Sequence, residues 1–359
     1  MRRVPVLAGV AADQWNALAG GFYASHEWQR SLELAHGASP TMIATAGDRL
    51  VGALPTWAGD DSSLFAPSAL AAGLPGPWHE PLLMLGGRRV TANAPVGASG
   101  PLWKEAAAYA VRQGMAGLVW PYLDASVARE VASACGGFAV LHSADAELAV
   151  PAGGLAELAA SARRDDRRNW WRELRVFADH GGTVEWCPLT PDLFAPLATL
   201  IGETRAKYGS PGGPARVRRE LAAQQLTGAT ATAVVCLVRA GDRIVAAAVF
   251  YRWHDRLCGR YWGCAEDAPP FSYYVLTNYA AVDWAAERGF RVLHLSVSNW
   301  PAKVSRGARL RPQAMVVDLF GQAPAAHVVR QHNAAVAAAW RTRFRRRPEA
   351  LHISWSDWE

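Results

Sequence analysis

The sequence predicts a mixed α/β protein of two tandem halves, each with a mixed, mostly antiparallel sheet flanked by helices. The chain has 359 residues, enough for two domains of about 150 residues each. Hydrophobic residues make up 51% and charged residues 19%, a balance that supports folded cores and argues against disorder. Helix-like and strand-like hydrophobic patterns alternate along the chain. The order of elements is similar in the two halves and is clearer in the second.

The first half begins with an amphipathic helix followed by a hairpin. Ser25 is a favourable N-cap, so a helix is predicted over 25–35. The strand-like runs 41–46 and 50–57 flank Gly47-Asp48, a dipeptide typical of hairpin turns. The later elements predicted in this half are a helix over 100–113 and a strand over 118–121.

A long helix predicted over 155–180 leads into the second half. It ends at Gly181-Gly182, a common helix C-terminal signal. The elements predicted after it are helices over 192–208 and 215–226, strands over 232–239, 243–253 and 256–264, a helix over 272–288, and strands over 292–297 and 314–320.

These elements divide the chain into four segments. They are an N-terminal half over 1–153, a connecting arginine-rich helix over 154–182, a C-terminal half over 183–322, and a basic C-terminal helix and tail over 323–359. Since both halves lie in one chain, we expect a monomer.

The basic charge of the chain is concentrated near its C-terminus. The net charge is +6, yet residues 303–347 hold ten Lys or Arg and one acid. This local excess predicts an anionic partner that docks at one place. No uncharged apolar run is long enough for a transmembrane helix.

Cysteine usage predicts a cytoplasmic protein without a metal site. The five cysteines form no CxxC pair, and most lie in apolar, strand-like runs. Reduced thiols are the simplest interpretation of that pattern.

Four stretches carry a resemblance to a known family. They read SARRDDRRNWWRELRVFADHGG (161–182), LCGRYWGC (257–264), FSYYVLTNYAAVDWAAERGF (271–290) and KVSRGARLRP (303–312). In this order they resemble the Fem-type aminoacyl transferases, and more closely the FemAB-like, peptidoglycan-biosynthesis-type branch of the GNAT acyltransferase superfamily. The chain departs from the family pattern at Ala308, where an aromatic residue usually follows Arg306-Gly307.

The resemblance implies transfer of an aminoacyl group from charged tRNA to an amine, with no further cofactor. The acceptor would be a small molecule, a peptide or a cell-wall precursor, in cell-wall or natural-product biosynthesis. Lys303 matches the family lysine that lies beside the acyl carbonyl, where a fixed cation stabilises the oxyanion. The alternative for Lys303 is an exposed loop lysine. No general base is evident, and water, the terminal hydroxyl of the tRNA and Glu266 remain open.

The substrate-binding residues that the resemblance implies are aromatic, basic and amide side chains. They are Arg260, Tyr261, Trp262, Tyr273, Tyr274, Asn299, Trp300 and Arg306. Aromatic groups here could pack the acyl group or stack on a base. Ordinary core packing would explain many of them equally well.

Two arginine clusters are predicted to bind tRNA. They are Arg163, Arg164, Arg167 and Arg168 on the connecting helix, and Arg341, Arg343, Arg345, Arg346 and Arg347 near the C-terminus. Such clusters suit phosphate backbones and would make binding salt-sensitive. The alternatives are ion pairs on a solvated helix, with Trp171, Leu174 and Phe177 on its buried side, and a solubilising tail.

Two other functions remain open from the sequence. One is a CoA-dependent N-acyltransferase that uses acetyl-CoA. The turn that would bind pyrophosphate reads GCAEDAPPFS (263–272), and its acidic residues and prolines suit that role badly. The other is a non-catalytic GNAT-like protein that binds RNA.

Overall fold

The computed structural model describes residues 2–4, 10–59, 64–209 and 212–358. It divides into two compact units, unit 1 (Met1–Asp145 and Leu310–Glu359) and unit 2 (Ala146–Arg309). The four segments expected from the sequence are a different division, and they stay a prediction.

The N-terminal part of unit 1 contains seven strands and five α-helices among the described residues. Its strands are β1 (Arg2–Val4), β2 (Thr41–Ala46), β3 (Arg49–Trp57), β4 (Leu82–Leu85), β5 (Val96–Gly97), β6 (Gly117–Asp124) and β7 (Phe138–Ala149), the last of which continues into unit 2. Its helices are α1 (Ala12–Asn16), α2 (His26–His36), α3 (Pro67–Leu70), α4 (Gly100–Arg112) and α5 (Ala125–Cys135). Ser25 caps α2 by accepting a hydrogen bond from the Trp28 amide, as predicted.

Unit 2 then supplies the central elements of the chain. They are α6 (Gly154–Ser161), α7 (Arg164–Asp179), β8 (Glu185–Pro188), α8 (Phe194–Lys207), α9 (Gly213–Thr227), β9 (Ala233–Ala240), β10 (Arg243–Trp253), β11 (Arg256–Cys264), α10 (Ser272–Tyr274), a π-helical turn (Val275–Tyr279), α11 (Ala280–Glu287), β12 (Val292–Ser296) and α12 (Trp300–Val304). The chain returns to unit 1 through β13 (Arg309–Asp318) and α13 (Ala326–Arg343).

The two units share one succession of strand pairings. In unit 2, β8 to β11 pair antiparallel, β11 pairs parallel with β12, and β12 pairs antiparallel with the end of β7. In unit 1, β1 to β4 pair antiparallel, β4 pairs parallel with β6, and β6 pairs antiparallel with β13. This repetition confirms the predicted fold class of two tandem GNAT-like halves.

The predicted long helix over 155–180 is wrong in one respect. The chain is extended at Ala162 and Arg163, so two helices form instead of one. Asp165 and Asp166 then lie in the first turn of α7, where acidic side chains interact favourably with the helix dipole.

The buried face of α7 also differs from the prediction. Trp170, Glu173 and Phe177 are buried, whereas Trp171 is 43% exposed. Burial therefore follows a stripe three and four residues apart that includes a carboxylate.

The segment before β13 holds an element that the sequence did not predict. Helix α12 lies within the predicted connection, and β13 begins at Arg309 instead of residue 314. The helix predicted over 272–288 is present, but the π-helical turn interrupts it. Such turns are often found at functional sites.

The C-terminal residues of the chain are folded onto unit 1. Trp340 and Phe344 are buried and stacked, with ring centroids 5.8 Å apart. Trp355 packs on Trp340 and donates its indole hydrogen bond to the carbonyl of Leu310 at 2.9 Å. Among the described residues, no helix has the length and apolarity needed to cross a bilayer.

Candidate active site

Lys303 lies on α12 with only 4% of its surface exposed. Its Nζ donates hydrogen bonds to the carbonyl oxygens of three residues at the end of β12, namely Leu295 at 2.6 Å, Ser296 at 3.0 Å and Val297 at 2.9 Å. Because an ammonium group has three N–H bonds, all of them are directed at this backbone. Lys303 is therefore no exposed loop lysine, and it holds the end of the strand in place.

The backbone that Lys303 holds has an unusual conformation. Ser296, Ser298 and Asn299 have φ angles of 61°, 69° and 47°, in the left-handed region that non-glycine residues rarely adopt. Each such residue costs on the order of 1–3 kcal/mol and persists only where the surrounding structure determines it. The three bonds from Lys303 contribute to that constraint.

Arg306 forms a buried ion pair with Glu173 of α7. The two Oε atoms of Glu173 lie 2.8 and 2.7 Å from Nη2 of Arg306, and both residues are 6% exposed. The Nε group donates to the Tyr279 hydroxyl at 3.0 Å, and Nη1 donates to the Ala302 carbonyl at 2.8 Å and the Ser305 hydroxyl at 3.1 Å.

This arrangement shows what Arg306 contacts within the protein. A guanidinium group has five N–H donors, and protein acceptors occupy all five. Arg306 therefore binds an internal carboxylate in this structure, and its contact with a substrate stays a prediction. Sequence reasoning missed Glu173, although its spacing from Trp170 and Phe177 placed it on the buried stripe of α7.

Arg306 also contacts a group of three aromatic side chains. The guanidinium carbon lies 3.3 Å from the ring centroid of Tyr274, which permits a cation–π interaction. Tyr274 packs on Tyr273, and Tyr273 packs on Trp262, each pair with centroids 5.2 Å apart. Burial raises the pKa of Tyr273, and a hydrogen bond with Asn299 partly opposes that rise.

The structure thus brings five predicted substrate-binding residues together in unit 2. They are Trp262, Tyr273, Tyr274, Asn299 and Arg306. Trp300 is half-buried at the first position of α12, next to this group in sequence.

Tyr261 does not join that group. Its hydroxyl accepts a hydrogen bond from the Gln224 amide at 2.8 Å and donates to Glu220 at 3.3 Å, both on α9. Successive residues of a strand point to opposite faces of the sheet, so Tyr261 and Trp262 cannot serve one site. Tyr261 is a core residue with a satisfied hydroxyl, and burial raises its pKa. The guanidinium of half-buried Arg260 lies 5.4 Å from the Tyr261 ring.

The turn after β11 is poorly suited to bind a pyrophosphate. Pro269 and Pro270 lack the backbone N–H groups that such a turn requires. Glu266 is exposed and forms a 3.5 Å ion pair with Lys207, and Asp267 pairs with Arg243. The hydrogen bond from Arg243 lowers the pKa of Asp267 and keeps it anionic.

The arginines predicted to bind tRNA lie at the surface of two different units. Arg163, Arg164 and Arg168 are exposed in unit 2, where Arg168 pairs with Asp165 at 3.4 Å and Arg167 is half-buried. In unit 1, Arg343, Arg345 and Arg346 are exposed, and Arg341 and Arg347 are half-buried. Their role in tRNA binding stays a prediction.

The described residues contain no group of three or more His, Cys, Asp or Glu side chains that could hold a metal ion. The five cysteines are free thiols and are buried or half-buried. Burial raises the pKa of Cys236 well above its usual value.

Comparisons with known proteins agree with this fold. Residues 164–304 match the sequence model of the family described as Acetyltransferase (GNAT) domain. The structure of FemX is similar, with a TM-score of 0.59 and 12% identity over 90% of this chain and 98% of that chain. The C-terminal DUF2156 domain of a putative lysylphosphatidylglycerol synthetase from Agrobacterium fabrum has a TM-score of 0.56 and 12% identity, over 92% of this chain and 96% of that chain. A conserved protein of unknown function from Bacteroides thetaiotaomicron has a TM-score of 0.55 and 11% identity, over 85% of this chain and 96% of that chain. None of the curated protein sequences matches this chain. At these identities the similar structures show the fold, and together with the family match they confirm the resemblance stated from the sequence.

Proposed function

We propose that this chain transfers an aminoacyl group from charged tRNA to an amine. The match of residues 164–304 to the model described as Acetyltransferase (GNAT) domain supports an acyl transfer. The product is an amide or peptide bond on a small molecule, a peptide or a cell-wall precursor. The similarity to FemX and to the domain of a lysylphosphatidylglycerol synthetase supports this choice of chemistry.

One observation carries the choice of tRNA over CoA as the donor. The turn after β11 contains Glu266, Asp267 and two prolines. A CoA-dependent enzyme needs free backbone amides at this turn, and no negative side chains that would repel the pyrophosphate. The arginine clusters of both units supply cations that a tRNA acceptor stem would require.

The proposed reaction is attack of the acceptor amine on the ester carbonyl carbon of the aminoacyl-tRNA. A C–N bond forms, the ester C–O bond breaks, and the terminal ribose oxygen leaves with the electron pair and takes up a proton. Negative charge develops on the carbonyl oxygen in the transition state, and a preorganised positive site stabilises it.

Lys303 supports this step by holding the end of β12 in its strained conformation. Direct contact between Nζ and the acyl oxygen stays a prediction, because that contact requires exchange of one of three carbonyl bonds. Glu266 is exposed and paired with Lys207, so the proposal assigns the amine proton to water or to the tRNA hydroxyl.

A paired titration tests the donor. Purified protein is titrated with mixed charged tRNA and with acetyl-CoA, each at low and high salt. We expect salt-sensitive binding of tRNA and no binding of acetyl-CoA. Binding of acetyl-CoA without binding of tRNA would overturn the proposal, and tRNA binding without transfer to any amine would support an RNA-binding protein instead.

A further inference from the structure

A cleft of about 650 Å³ opens in unit 2 at the edge of the sheet formed by β8 and β9. It lies between these strands and the C-terminal ends of α9 and α11. Strands β9, β11 and β12 run in one direction. The cleft contains the start of β9, whereas Lys303 contacts the end of β12, so the cleft lies at the opposite end of the sheet from the candidate active site.

A stack of aromatic rings forms one wall of the cleft. Trp186 stacks on Trp284 with centroids 4.9 Å apart and planes inclined by 22°. Trp284 stacks in turn on Phe290 at 5.8 Å. Both tryptophans line the cleft, Trp284 as a buried residue and Trp186 as a half-buried one. The wall can therefore take a planar apolar group against Trp186.

Two arginines add positive charge to this wall. Arg252 is anchored by hydrogen bonds to the carbonyls of Thr232 at 3.2 Å and Ala231 at 2.8 Å. The guanidinium of Arg288 lies 4.3 Å from the Trp284 ring centroid, and its Nη1 contacts Glu287 at 2.9 Å.

Each guanidinium keeps donors for a ligand. Among the described residues, Nη1 of Arg252 and both Nε and Nη2 of Arg288 have no hydrogen-bond partner. None of the described residues that line the cleft is acidic, and Glu287 offsets only one of the two charges. Fixed guanidinium groups bind carboxylates well because their donors need no further ordering.

We propose that this cleft is a second binding site, for a small molecule that carries a carboxylate on a planar aromatic group. The ring packs on Trp186, and the carboxylate accepts hydrogen bonds from Arg252 and Arg288. The volume lies within the range of about 300–1,000 Å³ that is usual for small-molecule sites. This site is independent of the proposed aminoacyl transfer.

Indole-3-acetate is a suitable probe, with neutral indole-3-acetamide as its matched partner. Binding to the full chain is measured by isothermal titration calorimetry at low ionic strength. We expect saturable binding of the acetate and at least about tenfold weaker binding of the amide, because the amide cannot form the charge-assisted hydrogen bonds.

Three variants locate the site. Arg252→Gln and Arg288→Gln should each weaken binding of indole-3-acetate about tenfold or more. Arg218→Gln removes an exposed charge from α9 outside the cleft and should leave binding unchanged. The proposal is overturned if the acetate shows no saturable binding, if acetate and amide bind alike, or if all three variants behave alike.

Discussion

Glu173→Gln keeps the shape of a buried side chain and removes the charge opposite Arg306. Both Oε atoms of Glu173 bind Arg306, and both residues are 6% exposed. Removal of one partner leaves a buried cation without its counter-charge, which costs about 3–5 kcal/mol. Because glutamine can still accept hydrogen bonds from Arg306, we expect a loss near the lower end, about 3 kcal/mol in the free energy of unfolding.

The corresponding fall in melting temperature is about 6–12 °C for a unit of this size. Urea unfolding followed by tryptophan fluorescence, together with calorimetry, measures both quantities. Asp165→Asn is the matched control on the same helix, since its 3.4 Å pair with Arg168 is exposed, and its loss should stay below about 1 kcal/mol.

A double replacement separates the charge from the packing. Glu173→Met combined with Arg306→Met removes both charges at once and should recover much of the lost stability. The reasoning is refuted if Glu173→Gln costs no more than Asp165→Asn, since the pair would then behave as a surface ion pair.

Three further predictions concern catalysis, tRNA binding and pH. Lys303→Met should lower kcat for aminoacyl transfer about 100-fold with tRNA binding little changed, whereas the exposed Lys207→Met should have no such effect; equal rates in a single-turnover assay would contradict the role of Lys303. Charge removal at Arg345 and Arg346 should reduce the slope of log K against log salt for tRNA by about 0.7–0.9 for each phosphate that is no longer neutralised, and an unchanged slope would exclude a role for these arginines in phosphate binding. Burial lowers the pKa of His142 to about 3, whereas an unfolded histidine titrates near 6.5. The unfolded chain therefore binds more protons between these values, and stability should fall as the pH drops from about 6.5 toward 3, by at most about 1.4 kcal/mol per pH unit. His142→Gln should remove that contribution in pH-dependent urea unfolding, and an identical pH dependence in the variant would contradict it.

Local signals were sufficient to predict most elements of the fold. Strands β10 and β11 have the predicted bounds because the turn residues Gly241-Asp242 and His254-Asp255 precede each of these strand-like runs. The N-cap at Ser25 is correct for a similar reason. The break at Ala162 was missed because no Gly or Pro marks it.

The contacts of the candidate site depend on residues far apart in sequence. Glu173 and Arg306 meet only because α7 packs against the segment that follows β12, and no local pattern encodes that meeting. The left-handed backbone at Ser296 and Asn299 was equally hidden, since neither residue is glycine. The separation of Tyr261 from Trp262 was accessible from the sequence, because strand alternation alone places them on opposite faces.

The pairing of β6 with β13 affects how the chain is made. Strand β6 ends at Asp124 and β13 begins at Arg309, so all of unit 2 is translated between two paired strands of unit 1. Unit 2 is one continuous stretch and can fold as soon as it has left the ribosome. The sheet of unit 1 must wait for residues 309–318, with β6 lacking its partner β13 until then. Damage to this late segment therefore reaches the first half of the chain, and a nascent chain that stops near residue 309 holds a finished unit 2 and an unfinished unit 1.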